Sequence, residues 1–226
     1  MTIKNLKGKI IVSSQAMPGE PFYDEKCMQA MMQSVINGGA AALRVAGARD
    51  VANAKKMGVP VIGLTKPDKL PANWKSIVYI TSGKKEVEEL IEAGADIIAL
   101  DGTLRPRPDG SNLKELIDLI HTAGRYAMAD ISTLKEGQHC IELGADIIST
   151  TLAGYTQESL SSPIEGPDFD LLESLVKTID RPIFLEGRIW NTEDVKKAFE
   201  LGAYSVVIGS AITRPHLITK RFTEVL

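Results

Sequence analysis

The chain has 226 residues, 44% of them hydrophobic and 24% charged, enough to bury a large core as one α/β barrel or two small domains. Its net charge of −3 and its lack of any long basic run exclude an electrostatic grip on nucleic acid or on an anionic membrane, which needs clustered Lys and Arg. Two cysteines, Cys27 and Cys140, lie far apart inside helical patterns; this excludes a disulfide framework and a metal-ligand spacing and fits a reducing, cytoplasmic setting. The opening MTIKNLKGKIIVSS is too short in apolar residues for a signal peptide, and no run reaches the roughly 20 residues of a bilayer span, so a soluble protein is expected. Eight apolar runs then follow in order, at residues 10–12, 42–45, 61–64, 97–100, 126–129, 147–149, 183–185 and 205–208. Between them, residues 25–36, 48–56, 84–93, 112–123, 134–143, 171–178 and 192–201 carry the helical period. Four helix-to-strand junctions share a small-residue turn: GGAAALRV, AGADIIAL, LGADIIST and LGAYSVVIG. Gly39, Gly94, Gly144 and Gly202 are expected to close helices in the left-handed conformation, each running straight into a strand buried on both faces. Strand and helix repeated eight times predict a (β/α)₈ TIM barrel of eight parallel strands with outer helices, a single domain over residues 1–226. Asp168, and Thr192 followed by Glu193 and Asp194, are expected to cap helix starts. The longest irregular stretches, residues 66–76 and 152–167, read equally as lids over a site or as exposed insertions.

In such barrels the chemistry gathers at the C-terminal ends of the strands. There the sequence places Ser13, Ser14 and Gln15, then Arg44, Lys66, Asp101, Asp130, Thr150 with Thr151, Glu186, and Gly209 with Ser210. Asp101 and Asp130 read equally well as turn or cap residues. Arg44, Lys66 and Glu186 do not, because a cation is unfavourable near the start of the next helix and a charge at the rim needs a partner or a ligand. Thr150 is counted with the substrate-facing group. The end of the chain carries EGR at 186–188 and IGSAITRP at 208–215. Gly187 and Gly209 let backbone N–H groups approach an anion, a short helix near Ser210 adds its positive end, and Arg214 adds charge, so a phosphate site is expected. His121, His139 and His216 show no spacing that converges on a metal, and none is expected. Trp74 and Trp190 read as packing anchors, and no His and Asp accompany the serines for nucleophilic hydrolysis.

A lysine and a glutamate facing a phosphate-anchored substrate can move a proton at a carbon beside a carbonyl, provided burial lowers the lysine from its usual value of about 10.4. Arg44 would orient substrate oxygens or stabilise negative charge, and Asp130 would hold Lys66 or bind a hydroxyl. Lys66 equally suits a Schiff base with a sugar-phosphate aldehyde, as in an aldolase. Spacing alone leaves these open.

The segments SSQAMPGEP, LRV, LTKPD, ALDGTLRPRP, MADIST, STTLAGYT, FLEGRIW and IGSAITRP, taken together, resemble the strand-end signatures of the N-acetylmannosamine-6-phosphate 2-epimerase family, over nearly the whole chain. That resemblance implies interconversion of N-acetylmannosamine 6-phosphate and N-acetylglucosamine 6-phosphate in sialic-acid salvage. It implies a cofactor-free mechanism: the ring opens, C2 is deprotonated to an enolate, and a proton returns to the other face. It implies Lys66 as base and Glu186 as its acid/base partner, with Gln15, Arg44 and Asp130 on the open sugar. Gly187, Arg188, Gly209, Ser210 and Arg214 would form the phosphate cradle. The expected partner is a small amino-sugar phosphate, with no nucleic acid or membrane, and a homodimer is left open. Three departures stand out: Ser14 where the family has Cys, Ala46 where it has Asn, and Thr65-Lys66-Pro67 in place of a Lys followed by a charged residue. The amide missing at Ala46 motivates a further reading, a catalytically silent sugar-phosphate-binding barrel.

Overall fold

The computed structural model describes residues 3–160 and 165–225. Eight strands, β1 (Lys9–Ser14), β2 (Ala42–Ala46), β3 (Val61–Leu64), β4 (Ile97–Asp101), β5 (Tyr126–Asp130), β6 (Ile147–Ser149), β7 (Ile183–Glu186) and β8 (Ser205–Ile208), pair in parallel in sequence order. β8 returns to β1 and closes the barrel, so no strand edge is left open. Helices α1 (Glu25–Asn37), α2 (Ala48–Lys55), α3 (Lys84–Glu92), α4 (Leu113–Thr122), α5 (Leu134–Glu142), α6 (Phe169–Thr178) and α7 (Thr192–Glu200) fill the connections. The expected (β/α)₈ architecture is therefore the observed one. Two further helices follow β8: α8 (Ser210–Thr213), foreseen in the sequence, and α9 (Pro215–Thr223), which was not. No residue of α9 is buried, so it adds no side chain to the core.

The runs that look continuously apolar split into two layers. Ile97 and Ala99 of β4 pack in the lumen with Ile11, Ala42, Ile62, Met128, Ile147, Phe184 and Val207. Ile98 and Leu100 face outward with Val12, Leu43, Val45, Ala129, Ile148 and Leu185, under the helices. This alternation fixes the polar residues too. Ser13, Arg44, Asp101, Asp130, Ser149 and Glu186 each stand two positions beyond a lumen residue, so their side chains enter the barrel at its C-terminal mouth.

The four turn glycines follow the last residues of their helices with φ between 90° and 100°, as expected. Asp168 caps α6, accepting from Leu171 N–H at 2.9 Å. The cap of α7 is Asn191 rather than Thr192: the Asn191 side chain accepts from Asp194 N–H at 2.8 Å, and Thr192 is already helical. Arg44 lies inside β2 rather than after it, because the strand runs on to Ala46. Among the described residues no helix is long and apolar enough to cross a membrane.

Candidate active site

A cavity of about 260 Å³ opens at the C-terminal mouth. Its floor is an ion-pair network that the strand alternation drives inward. Arg44 and Asp130 are both fully buried and meet in a two-pronged pair, Nη2 to Oδ2 at 2.6 Å and Nη1 to Oδ1 at 3.1 Å. Arg44 Nη1 also lies 3.2 Å from Glu186 Oε2. Burial opposes the guanidinium's charge, but Asp130 and then Glu186 more than offset it and raise its pKa well above the usual arginine value. The Thr151 hydroxyl sits 2.8 Å from Asp130 Oδ1 and 3.0 Å from Glu186 Oε2. One hydroxyl proton cannot serve two carboxylates at once, and a proton on Glu186 satisfies both contacts. Burial, with the negative charge of Asp130, pushes the Glu186 carboxyl above the ordinary carboxylate range, against the opposing pull of Arg44 and Lys66.

Lys66 leaves the end of β3 on the other side of the cavity. Its Nζ donates to Gln15 Oε1 at 3.0 Å, and Gln15 Nε2 donates to Ser13 Oγ at 2.8 Å. Lys66 is exposed at the cavity mouth, where the surrounding walls reduce the hydration of its amine. That lost hydration, with the positive charges of Arg44 and Arg214, lowers its pKa to about 8, although Glu186 and Asp130 pull the other way.

The third wall comes from the ends of β7 and β8. Gly187 has φ 114°, and nothing stands where a Cβ would project. Arg188 also has positive φ, 54°. Its guanidinium donates to the carbonyls of Gly166 at 2.8 Å and Ala153 at 2.7 Å and lies 5.4 Å from the Tyr155 ring centre, which pins the loop after β6. Gly209 caps α8, whose Thr213 donates to Ser13 carbonyl at 2.7 Å. Arg214 pairs with Glu20.

Gln15, Lys66, Glu186, Gly187, Arg188, Gly209, Ser210 and Arg214 thus line one cavity. Arg44 and Asp130 lie beneath it and hold Glu186 from below. Thr150 has outward parity: its hydroxyl donates to Glu186 carbonyl at 2.9 Å and accepts from Glu186 N–H at 3.1 Å, while its neighbour Thr151 lines the cavity. Asp101 serves a turn, accepting from Thr103 N–H and hydroxyl and pairing with Arg105 at 2.5 Å. Tyr79, Tyr155, Ile189 and Trp190 also line the cavity and were not read as such. Counting strand parity would have found Thr151; the aromatic residues lie in loops that carry no period. Burial pushes the Tyr79 hydroxyl up to about 12. Of the two stretches weighed as lids, residues 66–76 are tied down where Arg105 Nη1 donates to Trp74 carbonyl at 3.0 Å. The other includes residues 161–164, outside the described residues.

Fold and site together define a (β/α)₈ barrel whose polar cavity sets a low-pKa amine and a high-pKa carboxyl over a glycine-lined wall. Residues 28–226 match the model of a protein family described as "Putative N-acetylmannosamine-6-phosphate epimerase". A Clostridium perfringens protein named "Putative N-acetylmannosamine-6-phosphate 2-epimerase" is 49% identical over 223 residues, 98% of each chain. A protein of the same name from Clostridioides difficile is 45% identical over 226 residues, covering 99% of this chain and 98% of its own. The solved structure of the N-acetylmannosamine-6-phosphate 2-epimerase from Clostridium perfringens superposes with a TM-score of 0.93 at 48% identity, over 99% of this chain and 96% of that one. The chain belongs to the N-acetylmannosamine-6-phosphate 2-epimerase family.

Proposed function

We propose that this chain is an isomerase, an N-acylglucosamine-6-phosphate 2-epimerase, that interconverts N-acetylmannosamine 6-phosphate and N-acetylglucosamine 6-phosphate at C2 of the open-chain sugar. The observation that carries this reading, beside family membership, is that Lys66 and Glu186 reach one cavity from separate strands with their pKa values pushed toward each other. The phosphate would lie against Gly187, Arg188, Gly209 and Ser210, where bare backbone and Arg214 favour an anion. The C1 aldehyde acidifies the proton on C2. One of the two side chains removes that proton, and the other returns one to the opposite face.

The pair works with one proton between its members. In one direction neutral Lys66 takes the C2 proton while protonated Glu186 delivers; in the other, the carboxylate takes and the ammonium delivers. These two states hold the same number of protons, so their ratio does not change with pH and one pH range serves both directions. Gln15 keeps the amine aimed, and Arg44 with Asp130 fixes Glu186 from below. The side chains carry both transfers in this scheme, which calls for no cofactor. The net charge of −3 suits a cytoplasmic, soluble enzyme of sialic-acid salvage acting on a small amino-sugar phosphate, without nucleic acid or membrane as partner.

Incubation with N-acetylmannosamine 6-phosphate in D₂O tests the reading: conversion with deuterium at C2 is expected, and an unlabelled, unconverted sugar would contradict it. Borohydride added during turnover separates the aldolase reading, since a Schiff base on Lys66 would be trapped as a stable mass increase and the epimerase scheme forms none.

A further inference from the structure

β3 and β4 pair over only two positions, Ile62 with Ile97 and Gly63 with Ile98. Beyond them, toward the mouth, the backbone groups of the two strands no longer meet, and each needs another partner. The segment returning from the loop over residues 66–80 enters this gap. Ile80 carbonyl accepts from Asp101 N–H at 3.1 Å. Thr81 N–H donates to Thr65 carbonyl at 3.0 Å. The Thr81 hydroxyl donates to Ala99 carbonyl at 2.6 Å and accepts from Thr65 N–H at 3.1 Å. A single residue therefore holds both backbone polar groups of Thr65, and the next residue in the chain is Lys66.

Thr81 does this in a costly conformation. It is fully buried with φ 42°, a region unfavourable for a β-branched side chain. Among the described residues the one other non-glycine with positive φ is Arg188, on the cavity wall. Glycine would adopt the same backbone without strain but would bring no hydroxyl. Arg107 fixes the segment from the loop after β4: its Nη1 lies 3.3 Å from the carbonyls of both Thr81 and Ser82, and its Nη2 donates to Asp101 carbonyl.

We propose that Thr81 is a positioning residue for Lys66: its hydroxyl and amide fix the Thr65 peptide where β3 and β4 part, and so set the direction in which the lysine enters the cavity, with Arg107 holding Thr81 in place. The inference rests on the assignment of Lys66 as the amine that moves the C2 proton. Thr81 touches no reacting atom. Its effect passes entirely through the aim of the lysine.

The test compares Thr81→Ser, which keeps the hydroxyl, with Thr81→Val, which keeps the shape. Both are assayed for C2 deuterium exchange with N-acetylmannosamine 6-phosphate, for melting, and for the pH dependence of Lys66 acylation by acetic anhydride read by mass spectrometry. The charged groups around Lys66, namely Arg44 on β2, Asp130 on β5, Glu186 on β7 and Arg214 after α8, are unchanged in both variants. A moved acylation profile then reports a moved amine. Thr81→Ser should match the wild type. Thr81→Val should lose about 10- to 100-fold in kcat, as small misplacements of a reacting group do, with KM within about twofold and Lys66 acylation moved to higher pH. Should Thr81→Val fail to fold, Arg107→Met, which leaves the hydroxyl but frees its residue, should give the same kcat loss and acylation shift in milder form. A folded Thr81→Val with wild-type kcat, a serine variant as impaired as the valine, or an unmoved Lys66 profile would overturn the proposal. If the wild type exchanges no deuterium, it is the epimerase reading that fails, and the acylation profiles still decide whether Thr81 aims the lysine.

Discussion

Two pairs of carboxylates sit at opposite ends of the same barrel and meet opposite fates. Asp96 and Asp146 stand just before β4 and β6, at the bottom. Each accepts from the backbone of the preceding strand, Val61 N–H at 2.9 Å and Ala127 N–H at 2.8 Å. Each also meets a nitrogen of a rim side chain, Lys55 Nζ at 2.6 Å and His121 Nε2 at 2.9 Å, with the carboxylate side chains 13% and 27% exposed. At the mouth, Asp130 and Glu186 share one buried guanidinium and one hydroxyl, and sheet geometry gives their side chains no such partners. The bottom pair is satisfied by the fold itself. The top pair is forced together at a cost in solvation that burying a shared charge rarely repays in stability, and the raised pKa of Glu186 is the mark of that arrangement. Sheet register is thus maintained at one end, and reactivity is set up at the other.

Substitutions can break this contrast. The largest effect is expected from Lys66→Ala, which should lower kcat by about 10²–10⁴-fold, the typical range for a lost general base, while the melting temperature stays close to wild type. Arg44→Met leaves Asp130 buried without its cation and should cost about 3–5 kcal/mol in urea unfolding, with activity lost alongside. At the bottom, Asp146→Ala should cost about 1–3 kcal/mol by stranding Ala127 N–H, yet leave kcat per folded molecule unchanged. An activity loss there as large as at the mouth would erase the distinction between the two ends. The smallest effect belongs to Lys85→Ala on the exposed face of α3, which breaks a 3.8 Å pair with Glu89 and should shift stability by less than about 0.5 kcal/mol.

The pH profile sharpens the comparison within the mouth. A pair that works with one shared proton fails in acid, when Glu186 and Lys66 both carry one, and fails in base, when Lys66 loses the last. Activity should therefore rise through the raised pKa of Glu186 and fall above about 8. If Lys66 were the sole base and a substrate hydroxyl the donor, kcat would instead keep rising through that value, so the sign of the slope above pH 8 separates the two schemes.

Most of the architecture was legible because it is written locally: a glycine that must take positive φ ends each of four helices, and a β-branched run follows at once. The glycine-lined wall was legible for the same reason, since Gly187 and Gly209 announce bare backbone in their own neighbourhoods. The floor of the site was not. That Arg44 meets Asp130 and Glu186 depends on three strands whose order in space the chain reveals but whose side-chain reach it does not. Parity along β2, β5 and β7 was present in the sequence and points all three inward; the depth at which they stop is a matter of packing above Met128 and Phe184. Thr81 and Arg107 were silent for a different reason. They act on the backbone of a loop: Thr81 carries neither a period nor a motif, and Arg107, although within ALDGTLRPRP, carries no period that tells what it holds.

The account turns on Lys66 and Glu186 addressing opposite faces of one carbon. Deuterium wash-in with the half-disabled enzymes examines this directly, using Lys66→Ala and Glu186→Gln with each epimer separately in D₂O. Each variant should label C2 of one epimer, a different one in the two cases, and convert neither. If both label the same epimer, or either still converts the sugar at the wild-type rate, the two-sided proton transfer is wrong.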